Sequence, residues 1–212
     1  LMINILSHIV EFRNGESGLH VLHIQTITEM LLRQLVQKEN NRYALSKEQI
    51  RMITTASALH DIGKISIPDE ILNKPGRLTA EEFAVIKGHS MAGANMLSEL
   101  PLDQKEEPLV KTAYEICRWH HERYDGGGYP DGLKGEEIPV SAQVVALADV
   151  YDALTSERCY KDAYSHEKAI EMILAGQCGA FNPLMLECLL DISSSLKKKM
   201  GYKSKERYEQ TD

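Results

Sequence analysis

Between residues 19 and 36 the apolar side chains Leu19, Leu22, Ile24, Ile27, Met30, Leu31, Leu35 and Val36 recur mostly three and four apart. That spacing is the stripe of a helix with one face turned to a core. It returns along nearly the whole chain, and no alternation of apolar and polar residues runs long enough to make a strand. Ser46 followed by Gln49, and Thr79 followed by Glu82, each predict a helix start at which side chain and backbone cap one another. Further helices are predicted at about 91–100, 107–121, 141–156, 165–175 and 183–198. Breakers separate them, notably Lys74-Pro75-Gly76 and the stretch 125–139, which holds five of the 14 glycines and two of the seven prolines. The fold class is therefore read as all-α, a single-domain helical bundle with one long Gly-rich loop at about 125–139. A loop of that length in a compact domain is usually functional or disordered.

A chain of 212 residues buries enough apolar surface to need neither a disulfide nor a metal merely to fold. Residues 1–196 are read as one domain and 197–212 as a charged tail, with six basic residues against three acidic ones. The net charge of −7 argues against general nucleic-acid binding. No stretch approaches the roughly 20 apolar residues of a membrane span. Cys117, Cys159, Cys178 and Cys188 show no CxxC spacing and read as inert thiols of a reducing compartment. Without a basic leader or a small-residue cleavage site at its start, the domain is read as cytoplasmic. Leu1-Met2 runs at once into Ile3, Ile5, Leu6, Ile9, Val10 and Phe12, which reads as a piece cut from a longer protein. An upstream receiver or sensory domain is expected, and an apolar N-terminal helix could pair two copies as a homodimer.

The chemistry concentrates in the histidines. Five of the eight, His20, His60, His89, His120 and His121, lie near carboxylates or glycines rather than in basic runs. Glu16 and His20 are four apart and would share a helix face, and His60-Asp61 closes an apolar helix just before Gly63-Lys64. Asp149 sits in the apolar run 144–154, where an unpaired carboxylate would be costly and a cation is one of the two usual remedies. A lone histidine more often has a structural explanation; five in such settings, with an aspartate inside a hydrophobic helix, point to a metal site.

These residues carry a resemblance. His60-Asp61-Ile62-Gly63-Lys64, Ile67-Pro68-Asp69, Lys74-Pro75-Gly76, the run from His120-His121-Glu122 through Gly128-Tyr129-Pro130 to Leu133, and Ala148-Asp149-Val150-Tyr151-Asp152 with Arg158 and Tyr160-Lys161 resemble the HD-GYP family. That family is a subgroup of the HD-domain metal-dependent phosphohydrolases that hydrolyses cyclic dinucleotides, cyclic di-GMP above all. The resemblance spans about residues 6–190. It implies Glu16, His20, His60, Asp61, His89, His120, His121 and Asp149 as metal ligands, with Asp61 bridging two ions and Glu16 allowing a third. It implies Lys64, with Asp61, at the reacting phosphate, and Tyr129, Asp152, Arg158 and Lys161 as substrate contacts. The implied cofactors are two or three divalent ions, iron or manganese first, with zinc, nickel or magnesium as alternatives; a diguanylate cyclase is an implied partner. Imidazole with carboxylate suits such ions, and two of them would activate a bridging hydroxide and clamp a phosphodiester. The Gly-rich stretch lacks a Gly-Lys-Ser/Thr ending, so it is read as a wall that positions Tyr129 and not as a P-loop.

Four positions depart from the family pattern. His23 and Gln143 stand where arginine is common, Cys159 replaces a frequent proline, and Asn182 replaces the aspartate of a Phe-Asp-Pro ending. His23 is read as a polar surface residue in preference to a group orienting a ligand, and loss of an arginine and an aspartate would remove an ion pair if the two side chains meet. The leading expectation is a cyclic di-GMP phosphodiesterase giving linear pGpG and then GMP. The alternative is a catalytically idle module that senses a cyclic dinucleotide or docks a partner. A mononucleotide phosphohydrolase is third, because His120-His121 and Gly128-Tyr129-Pro130 are surplus to it.

Overall fold

The computed structural model describes residues 2–13, 19–157 and 162–201. Among them there are helices and turns and no strand, in agreement with the all-α reading. The chain runs through α1 (Met2–Arg13), α2 (His20–Leu35), α3 (Lys47–Ala56), the short α4 (Asp69–Leu72), α5 (Ala80–Lys87), α6 (His89–Ser98), the short α7 (Leu102–Lys105) and α8 (Pro108–Trp119). After the long loop come α9 (Val140–Thr155), α10 (His166–Leu174) and α11 (Pro183–Lys199). Single 3₁₀ turns lie at Ser57–Leu59, Ile62–Ser66 and Gly135–Glu137.

Helices α2 and α9 form the centre. Of the stripe read from the sequence, Ile24, Ile27, Leu31 and Leu35 are fully buried, joined by Leu32, with Val144, Val145, Leu147, Ala148 and Tyr151 of α9 and Leu189 and Leu196 of α11, while Leu19, Leu22 and Val36 are exposed. Helix α9 is buried along most of its length, polar Gln143 and Asp152 included. The second layer is α6 against α8, with the Ile62–Ser66 turn wedged on α6. Both capping boxes form: Ser46 Oγ accepts the Gln49 N–H at 3.2 Å while Gln49 Oε1 accepts the Ser46 N–H at 2.8 Å, and Thr79 and Glu82 repeat the exchange. Ser46→Ala is expected to cost about 1 kcal/mol, read from urea unfolding, with no change in metal content.

Gln143 and Asn182, two of the departures from the family pattern, do meet. Asn182 Nδ2 donates to Gln143 Oε1 at 2.9 Å, and Asn182 Oδ1 accepts the Leu184 N–H at 3.0 Å to cap α11. A neutral amide pair thus closes the base of the long loop. Cys117 and Cys188 are buried, and burial pushes the Cys117 thiol up, as expected of inert thiols. The apolar face of α1, with Met2, Ile9 and Phe12 at its crest, is exposed. The tail beyond residue 201, and with it most of the charged segment, lies outside the described residues.

Candidate metal centre

Four helix ends and turns, together with the body of α9, converge on one point. His20 opens α2, His60-Asp61 joins two 3₁₀ turns, His89 opens α6, and His120-His121 follows the last turn of α8. Asp149 projects from α9. His20, His60, Asp61, His89 and His120 are buried. Their nearness depends on glycine. A Cβ on Gly63 would lie 1.9 Å from the His89 carbonyl oxygen and 2.4 Å from the Gly93 nitrogen. Only a residue without a side chain lets the turn carrying Asp61 lie against the helix carrying His89. Gly63→Ala is expected to destabilise the protein by about 2 to 3 kcal/mol and to lower metal content, checked by unfolding and metal analysis of the same sample.

The protons on the imidazoles are assigned by what faces Nδ1. His60 Nδ1 lies 2.9 Å from the Ser57 carbonyl, His89 Nδ1 2.7 Å from the Ile86 carbonyl, and His120 Nδ1 2.8 Å from the Ile116 carbonyl. A carbonyl only accepts, so each Nδ1 carries a proton, and in the neutral ring Nε2 is the nitrogen free to bind a metal. The Nε2 atoms face one another. His20 Nε2 is 3.4 Å from His60 Nε2; His89 Nε2 is 3.4 Å from His120 Nε2 and 3.2 Å from His121 Nε2. Imidazole nitrogens gathered this closely around a carboxylate are the arrangement that holds a cation.

Asp61 joins the two sets. Its Oδ2 is 3.3 Å from His60 Nε2, and its Oδ1 is 3.2 Å from His89 Nε2 and 3.8 Å from His120 Nε2. His20, His60 and Asp61 form one group able to hold an ion, and Asp61, His89, His120 and His121 form another. Asp149 Oδ1 stands 4.0 Å from His60 Nε2, at the border of the first group. Lys64 Nζ reaches Asp61 Oδ2 at 2.7 Å. Burial pushes the Asp61 carboxyl up, but Lys64 and His60 outweigh it and hold it well below the usual carboxylate range. Burial, reinforced by His60 and His89, pushes His120 down to about 3, and His121 likewise falls well below the usual range. At neutral pH those rings are therefore unprotonated, the form that ligates a metal. The donor set fits divalent ions of the imidazole and carboxylate type.

Tyr129 covers the mouth of the centre. Its ring stacks on His121 at 4.7 Å between centroids, and the Lys87 ammonium lies 5.2 Å from its ring centre. The long loop is held in that place by Glu122, whose buried carboxylate accepts the N–H groups of Asp131 at 2.7 Å, Gly132 at 3.0 Å and Leu133 at 3.1 Å. Gly128 lets the loop lie on the 121–123 backbone, since a Cβ there would be 2.4 Å from the Arg123 nitrogen.

Two residues differ from the sequence reading. Asp152, implied as a substrate contact, is buried, with His20, His23 and Ser156 on its carboxylate. His23 is not a free surface side chain, because its Nδ1 meets that carboxylate at 2.7 Å. Glu16, Arg158, Cys159 and Lys161 lie outside the described residues. Sequence reasoning missed Glu122 and also Arg13, whose guanidinium donates to the carbonyls of Lys64, Ile65 and Ile67 at 3.1, 2.7 and 2.6 Å. A glutamate directly after the histidine pair and before a Gly-rich loop was the only available signal for the first, and nothing local marks the second.

A helical bundle with two adjoining histidine groups sharing one aspartate defines a metal-site protein of the HD type. Residues 1–181 match the sequence profile of the HD domain, and the chain belongs to the HD-domain family. It is 41% identical over 187 residues to a cyclic di-GMP phosphodiesterase of Vibrio cholerae, covering 88% of this chain and 38% of the relative. It is 39% identical over 186 residues to a 3'3'-cGAMP-specific phosphodiesterase 2 of the same organism, covering 88% of this chain and 33% of the relative. The chain thus spans less than half the length of these curated relatives. Among solved structures, Bd1817, an HDG"Y"P protein from Bdellovibrio bacteriovorus, has the same fold, with a TM-score of 0.61 at 22% identity over 82% of this chain and 51% of that one. No helix among the described residues is long and apolar enough to cross a membrane.

Proposed function

We propose that this domain is a metal-dependent phosphodiesterase that opens cyclic di-GMP to linear pGpG and then to GMP. The observation that carries the reading is the array of imidazole Nε2 atoms around Asp61, which suits two ions side by side. The names of the curated relatives support the substrate class. His20, His60, Asp61 and Asp149 would hold one ion and Asp61, His89, His120 and His121 the other, with iron or manganese favoured by the donors. Bound together, two such ions supply an activated hydroxide and charge stabilisation for a phosphodiester.

The chain's own residues do the rest. Lys64, beside Asp61, contributes a fixed positive charge where the phosphate arrives in an otherwise acidic domain. Tyr129 offers a ring face and a phenol that burial pushes up, so it stays a hydrogen-bond donor at neutral pH. Arg158 and Lys161 are proposed to bind the dinucleotide with it. A cytoplasmic setting belongs to the same reading.

The test is incubation of the metal-loaded protein with cyclic di-GMP and, separately, 3'3'-cGAMP, with products separated by chromatography. Linear pGpG followed by GMP is expected; no linear product with iron, manganese or any other divalent metal would sink the proposal. Glu16 is proposed to hold a third ion. Glu16→Ala should then lose one metal per chain at most, measured by elemental analysis of anaerobically purified protein, and a larger loss would contradict its peripheral place.

A further inference from the structure

The Asp152 carboxylate is 1% exposed, and both its oxygens are engaged. Oδ2 meets His20 Nδ1 at 2.6 Å, while Oδ1 meets His23 Nδ1 at 2.7 Å and accepts from the Ser156 hydroxyl at 2.9 Å. A carboxylate oxygen beside Nδ1 accepts its N–H, which leaves Nε2 of His20 turned to the centre, 3.4 Å from the Nε2 of His60. His60, His89 and His120 take this orientation from a backbone carbonyl three or four residues back. At His20 the group facing Nδ1 is the Asp152 carboxylate. A side chain from α9 takes that part instead.

We infer that His23 and Asp152 are positioning residues of the metal centre acting in series, His23 orienting Asp152 and Asp152 setting the ring and tautomer of His20. The inference rests on the metal-dependent reading above. It removes Asp152 from the substrate contacts, because its oxygens are buried and already hold three hydrogen bonds within the protein. It also accounts for the departure at His23: an imidazole N–H and a guanidinium N–H can each donate to the same carboxylate.

The experiment is titration of the metal-free full chain with Mn²⁺, read by calorimetry, alongside KM for cyclic di-GMP. Asp152→Ala and His23→Ala are each expected to weaken one Mn²⁺ site by about 10- to 100-fold, the usual cost of losing the group behind a ligand histidine. KM at saturating metal should stay within about twofold. His23→Arg should restore Mn²⁺ affinity, and His23→Ala in the Asp152→Ala background should add nothing. Unchanged Mn²⁺ affinity in Asp152→Ala, with a raised KM, would overturn the inference in favour of a substrate contact. Additive losses in the double variant would overturn the series arrangement. Metal-free melting temperatures check the fold, and should Asp152→Ala prove unstable, the shape-preserving Asp152→Asn decides by the same two criteria. If the wild-type protein binds Mn²⁺ but hydrolyses no cyclic dinucleotide, the proposed function falls while the Mn²⁺ comparison still decides this inference.

Discussion

Asp61→Ala is expected to purify as a folded protein that holds no pair of metals and hydrolyses cyclic di-GMP at least about 10³-fold more slowly than the parent. The reason is its place between the two histidine groups, with Oδ2 toward His60 and Oδ1 toward His89 and His120. Without it each group keeps neutral imidazoles, and the one carboxylate common to both ions is gone. Lys64 also loses its counter-charge 2.7 Å away and becomes a repulsive neighbour to any cation. Elemental analysis and product chromatography check both halves of the prediction. A variant that retains two ions per chain would show that the bridging assignment is wrong, whatever its activity. The fold should survive, because the core of α2, α9 and α11 does not include Asp61.

Glu122→Ala is expected to be the most destabilising single change at the loop, by about 3 to 5 kcal/mol. Three backbone N–H groups lose a charged acceptor, each such bond being worth about 1.5 to 3 kcal/mol before relaxation of the loop offsets part of the loss. Glu122→Gln should cost about half as much. Its carbonyl can still take the two N–H groups now on Oε1, while its amide would face the donor at Leu133. Urea unfolding measures the ranking, and a Gln variant no better than Ala would contradict it. Because the segment held by Glu122 begins two residues after Tyr129, the Ala variant should also raise KM for cyclic di-GMP while keeping its metals. That outcome is opposite to the one expected of Asp61→Ala, so the two variants separate loop placement from metal binding.

Much of this was legible in the chain. Helix positions, two capping boxes and the long loop follow from local patterns, since spacing and caps are properties of neighbouring residues. The histidines and Asp61 could be nominated as metal-competent because ligand chemistry is carried by residue type. Their assembly could not, as it depends on the Gly63 approach to α6 and on carbonyls that happen to face each Nδ1. Asp152 shows the limit most clearly. In the sequence it is a carboxylate three residues after Asp149, equally suited to water, substrate or a histidine; the packing of α9 on α2 turns it toward His20 and His23, 132 and 129 residues away. Residue types and spacings thus determined an all-helical domain with the ingredients of a metal site. Which acceptor orients which imidazole was decided only by tertiary packing, because a hydrogen bond between distant helices leaves no period in the chain.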